Sequence, residues 1–228
     1  MKKILFLLGI IILAGGCNNR DINFDDFEFQ GVYFPYQTPI RTLMLGDEVV
    51  GDNSIDRDHA FSIGVSIGGM YINEMDRVVS IEYAPELAQN IMDENSGDTL
   101  AILPPEYYTA TFDRITIPEG NFFGKMRVEL EDAFFEDPDA IGLKYVIPLV
   151  ITDALGDTIL SGKGSTTIET HDRRIAAHWE VVPKDYTLFA IKYINPYHGV
   201  YLLRGQSINT TTNDTVFYSK RFLQIMIW

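Results

Sequence analysis

A single cysteine, Cys17, among 228 residues excludes an internal disulfide, so a packed core has to supply the stability. Histidine is scarce too. His59, His171, His178 and His198 show no metal-ligand spacing, and no thiolate cluster stands near them. Positive charge is the largest deficit: 18 Lys and Arg face 32 Asp and Glu, a formal net charge of −14. Repulsion then disfavours nucleic acid and electrostatic adhesion to anionic lipid. Helical periodicity is rare, there is no internal repeat or low-complexity tract, and no glycine-rich phosphate loop occurs. Gly64 to Gly69 lies in a strand pattern without a following lysine and helix.

What is present begins with an address. Lys2 and Lys3 precede an apolar run from Ile4 to Ala14, and Ala14-Gly15-Gly16 are small enough for a peptidase groove. The run is shorter than the roughly 20 apolar residues a spanning helix needs. Followed by Cys17 and polar Asn18-Asn19-Arg20-Asp21, it resembles a bacterial lipoprotein lipobox, although Ala14 stands where most carry leucine. Residues 1–16 are therefore expected to be a signal peptide, and Cys17 an acylated N-terminus held in the outer membrane. The alternative is an ordinary secretory signal that leaves a free thiol. Losing Lys2 and Lys3 would carry the net charge to −16. Residues 17–30 read as a lipidated tether in which Asp21, Asp25, Asp26 and Glu28 alternate with Ile22, Phe24, Phe27 and Phe29.

With 46% hydrophobic and 12% aromatic residues, the remainder can build a core. Period-two segments rich in β-branched and aromatic residues recur over 32–34, 41–45, 59–67, 77–83, 107–112, 115–117, 125–130 and 144–152. Within Ala60 to Ile67, Phe61, Ile63, Val65 and Ile67 alternate with Ser62, Gly64 and Ser66, which puts one face in a core. Turn chemistry is present at Val50 to Asn53, Ile117 to Asn121 and Ala154 to Asp157. Pro85 to Met92 could make about two helical turns, with another over Asp132 to Ala140. Pro148 removes a ladder donor and so points to an edge strand or a bulge. The pattern predicts an all-β chain, an immunoglobulin-like β-sandwich over 31–170.

The ordered set Val32-Tyr33-Phe34-Pro35, Arg41 to Gly46, Ile63 to Gly69, Leu103 to Tyr108, Ile117 to Gly120 and Tyr145 to Leu149 resembles one family. It is the Ig-like N-terminal module of unknown function in Bacteroidota surface lipoproteins of polysaccharide-utilisation systems, and the likeness covers roughly Phe27 to Thr152. In that family the module precedes glycan-binding or lectin-like β-domains and sometimes a glycoside hydrolase. Trp179-Glu180 and Tyr186 to Tyr201 are similar to the opening of such a C-terminal domain. The resemblance thus implies a boundary near residue 170, with 171–228 an incomplete, truncated second β-rich segment. The alternative is that the tail pairs with the first domain.

Catalytic chemistry is thin. Glycoside hydrolysis needs two carboxylates flanking a cleft, and Glu129, Glu131, Asp132, Glu136, Asp137 and Asp139 read better as solvated loop ends. Calcium at Asp132 to Asp139 is the weaker reading of those acids, so no metal, no cofactor and no enzyme activity is expected. Aromatics beside polar groups suit sugars, whose C–H faces stack on rings while hydroxyls take hydrogen bonds. The candidate platform is Trp179, Tyr186, Tyr197, His198, Tyr201 and Arg204, with Tyr33, Tyr36, Tyr107 and Tyr108 as a weaker set. Asp98-Thr99-Leu100, Asp157-Thr158-Ile159 and Asp214-Thr215-Val216 resemble O-glycosylation acceptors at Thr99, Thr158 and Thr215. The expected function is glycan binding or presentation beside transporter partners. A structural spacer without a ligand, or the front part of a glycan-processing enzyme, are the alternatives.

Overall fold

The computed structural model describes residues 27–46, 51–93, 97–194, 196–197 and 199–224. Cys17, most of the tether and His198 lie outside them. The strands are β1 (Gly31–Tyr33), β2 (Ile40–Met44), β3 (Ala60–Gly68), β4 (Arg77–Tyr83), β5 (Ala101–Ile102), β6 (Tyr108–Thr109), β7 (Arg114–Ile117) and β8 (Phe123–Leu130). After them come β9 (Tyr145–Asp153), β10 (Thr158–Ile159), β11 (Lys163–Gly164), β12 (Trp179–Val181), β13 (Tyr186–Ile194), β14 (Gly199–Ile208) and β15 (Thr215–Gln224). One sheet runs β10-β1-β3-β8-β6; the other runs β2-β13-β9-β4-β7, with β5 also paired to β9. The chain is an all-β, immunoglobulin-like sandwich.

The alternation read from β3 survives intact. Phe61, Ile63, Val65 and Ile67 are buried with Val32, Phe34 and Val128, and they meet Val79, Ile81, Ile115, Ile147 and Ile191 of the second sheet in one core. Ser62, Gly64 and Ser66 turn outward. The second sheet is apolar on its outer face as well. Val146, Ala190 and Leu188 are covered there by Leu87, Ala88 and Ile91 from the segment after β4. This double burial explains the unbroken apolar run of β9, the pattern of a strand enclosed on both sides.

Three expectations change. The boundary after residue 170 does not hold as a limit of the sandwich, because β13 lies inside the second sheet, parallel to β2 and antiparallel to β9. Its alternating Phe189, Ile191 and Tyr193 complete the inner core. β9 is central, despite Pro148. The Pro148 carbonyl accepts the Ala84 N–H at 3.0 Å just past the end of β4, and Leu103 bonds Val146 on the same side. The missing N–H therefore faces the seam between β4 and β5, while Leu188 opposite turns its own N–H to Gln37 at 2.7 Å. Third, Pro85 opens only a single 3-10 turn, Pro85–Ala88, pinned by burial of Leu87. β14 and β15 form a ribbon of their own.

Candidate functional site

Among the described residues, the members of the platform expected in the tail lie on separate elements. Tyr186 is only 5% exposed and packs with Ala84, Leu87 and Leu188, and burial raises its phenol pKa. Trp179 donates its Nε1–H to the Asp172 carbonyl at 2.8 Å and leans on His171, so it serves the loop before β12. Tyr197, Tyr201 and Arg204 belong to the β14–β15 ribbon and its approach, where the Tyr201 hydroxyl donates to the Tyr197 carbonyl. Residues adjacent in sequence thus divide among a buried strand, a short ribbon and a separate hairpin.

The weaker set divides likewise. Tyr107 and Tyr145 both donate their hydroxyls to Asp137 Oδ2, Tyr107 at 3.1 Å. Burial pushes Asp137 up, but these hydroxyls and the Asp139 N–H outweigh it and the carboxyl ends below the usual range. Burial first, and then Asp137, drives Tyr145 well above an ordinary phenol. Asp137 therefore ties the end of the Asp132–Glu136 helix to Tyr107 and to Tyr145 of β9, and is not a solvated loop end. Among the described residues no group of three or more His, Cys, Asp or Glu is placed to hold a metal. Thr99, Thr158 and Thr215 are exposed, although the Asp157 carboxylate beside Thr158 is already paired with Arg77.

Among the described residues, two concave surfaces lie against the two large sheets. On the outer face of the second sheet is a groove of about 610 Å³ over Val146, Leu188 and Ala190, rimmed by Asn90, Asp172 and Arg174. Among the described residues no aromatic ring lines it. Arg174 is spent on Asp172 and on the carbonyls of Leu87 and Gln89, at 3.2 and 2.6 Å. Its guanidinium fastens a loop.

The second surface is a smaller groove of about 260 Å³ beside the first sheet, lined by Pro35, Tyr36, Pro39, Ser62, Gly64 and Phe123. Tyr36 is 73% and Phe123 40% exposed. Each is held from behind. The Tyr36 turn is fixed by Phe34 N–H to Lys184 O at 2.8 Å, Gln37 Nε2 to Phe34 O at 2.8 Å and Thr187 Oγ1 to Tyr36 O at 3.0 Å. Phe123 opens β8 opposite Ser66, and its ring lies over Gly64, where a Cβ would overlap it. Glycine here makes room for a flat ring, the role of close approach. Phe123 carries no special mark in the sequence, since diagonal cross-strand contact depends on register.

More rings and cations share this outer face. Tyr33 pairs with Ser66 from the other side, so it flanks the same residue as Phe123. Lys184 Nζ sits 5.6 Å from the Tyr33 ring centre and Lys125 Nζ 5.4 Å from that of Phe123. Arg127, next along β8, is engaged by Asp58 and Glu129 at 3.6 and 3.3 Å.

Residues 24–158 match the model of a family of N-terminal domains. A Bacteroides ovatus protein of unknown function is 32% identical with a TM-score of 0.78, over 90% of this chain and 67% of that one. A Bacteroides ovatus multidomain protein including DUF1735 is 13% identical with a TM-score of 0.46, over 88% of this chain and 58% of that one. A Bacteroides ovatus protein named for carbohydrate binding is 15% identical with a TM-score of 0.40, over 78% of this chain and 40% of its own. Neither of the last two bears on function at that distance. No curated protein matches the chain.

Proposed function

Because the chain belongs to the family of Ig-like N-terminal domains found in Bacteroidota polysaccharide-utilisation systems, we propose that it is a non-catalytic lipoprotein that binds or presents glycans. In this reading Cys17 carries the acyl anchor in the outer membrane, and the sandwich faces the cell surface beside transporter partners. The observation that carries glycan binding is the Tyr36–Phe123 groove. It offers an exposed ring seated on Gly64, a second exposed ring on a hydrogen-bonded turn, and Ser62 in the same lining. A rigid ring loses little entropy on contact, which is what a sugar face requires of its partner.

Affinity electrophoresis against a panel of host and plant glycans tests this. The protein is expected to be retarded by at least one of them. Phe123→Ala should weaken that retardation about tenfold, the equivalent of an aromatic contact of about 1.4 kcal/mol. Trp179→Ala and Tyr197→Ala should leave it unchanged. Absence of retardation with every glycan would overturn the reading and leave the spacer role. The anchor is tested separately: labelled palmitate should enter the wild-type chain and not Cys17→Ser.

A further inference from the structure

Resting on that reading, we infer that the glycan taken by the outer face of the first sheet is acidic, carrying carboxylate or sulfate groups. On a chain of net charge −14, two lysines stand on this one face with no carboxylate paired to them among the described residues. Lys125 rests on Phe123 and Lys184 on Tyr33, each within cation–π range. The two rings flank Ser66 on neighbouring strands, so they stand two strand spacings, about 10 Å, apart. The unit therefore occurs twice on one surface: a ring for the apolar face of a sugar and an ammonium for its charged substituent. A neutral sugar would use the rings and waste the cations.

The overall negative charge does not forbid this. At physiological salt, exposed charges are screened beyond roughly 8 Å, so the nearest groups govern a bound anion. The acids nearest along β8 and before β3, Glu129 and Asp58, are engaged with Arg127. The neighbouring lysines are placed to outweigh the distant carboxylates.

The probes are polygalacturonate, which carries carboxylates only, dextran sulfate, which carries sulfates only, and neutral dextran, each cast into native gels with the full protein. Retardation is expected with one or both acidic polymers, falling as sodium chloride rises, and not with dextran. Lys125→Gln and Lys184→Gln should each lower the apparent affinity up to about fivefold, the range of exposed ion pairs. Together they should lower it tenfold or more, while Lys163→Gln, on a lysine paired elsewhere with Glu180, changes nothing. Unaltered melting temperatures of the variants establish that the fold is retained. Retardation by neutral glycans alone, indifferent to both lysines, would overturn the acidic assignment and leave glycan binding standing. Acidic retardation that the lysine pair and Phe123→Ala leave untouched would place the anion elsewhere and also overturn it. No retardation by any glycan would overturn both.

Discussion

Asp172 holds the loop before β12 with every polar atom it has. Its carboxylate takes the Arg174 backbone N–H and Nε at 2.9 Å each and Nη2 at 2.6 Å. Its own N–H goes to His178 Nδ1 at 3.0 Å, and its carbonyl takes the Trp179 indole. The Arg174 side chain is the main cause of a carboxyl pKa lowered from 3.8 to about 2. A depressed carboxyl stabilises the fold above its unfolded value, and that contribution is lost as pH falls from about 4 towards 2. Asp172→Asn should therefore flatten the fall of melting temperature over that range. Equal slopes for variant and wild type would contradict it. Leu155 stands at φ +43° beside Gly156 at +104° in the turn after β9, a conformation that suits glycine or asparagine. Leu155→Gly should raise stability by about 1 kcal/mol in urea unfolding. The turn was legible because Gly156 and Asp157 announce it. The duty of Trp179 was not, because an indole that binds a carbonyl in its own loop has the same letter as one that stacks on sugar.

β3 was legible as a strand from its alternation, whereas the segment of β13 was read only through its resemblance to the opening of a following β-rich domain. Neither could be assigned to a sheet, since alternation marks the buried face and not the neighbouring strand, and β8, which pairs with β3, begins only at Phe123. The partner of β13 on one side is β2, about 150 residues earlier. Nothing in either segment encodes parallel pairing at such a distance, and the resemblance to a following domain pulled the boundary to the wrong side. Pro148 misled for a related reason: a missing donor is costly only where an acceptor waits, and here the seam between β4 and β5 faces it. If β13 is integral to the sandwich, a chain ended at residue 170 should lack a cooperative thermal transition. Ile191→Ala in the full protein, at a fully buried position, should cost about 2–5 kcal/mol in urea unfolding. A cooperative, soluble 170-residue fragment would restore the boundary read from the sequence.

At the scale of the whole molecule, charge and apolar surface are divided unequally. The second sheet is covered on its outer face, whereas the first leaves Tyr33, Phe123, Lys125 and Lys184 open. The β14–β15 ribbon exposes both of its faces, with Val200, Ile208 and Phe217 among the uncovered side chains. Limited proteolysis should therefore cut within 199–224 first and leave 186–194 protected with the sandwich, as expected of segments with few buried contacts. Simultaneous cleavage of both would contradict the assignment of β13. The central claim, that a ring-bearing face of the first sheet receives sugar, is met most directly by amide chemical-shift mapping. The glycan that retards the protein most is titrated into isotope-labelled material. Shifts gathered on Ser62 to Ser66, Phe123 to Lys125, Tyr33 and Tyr36 are the expected result. Shifts gathered instead on Trp179, Tyr197 and the β14–β15 ribbon, or none at saturating glycan, would contradict the account.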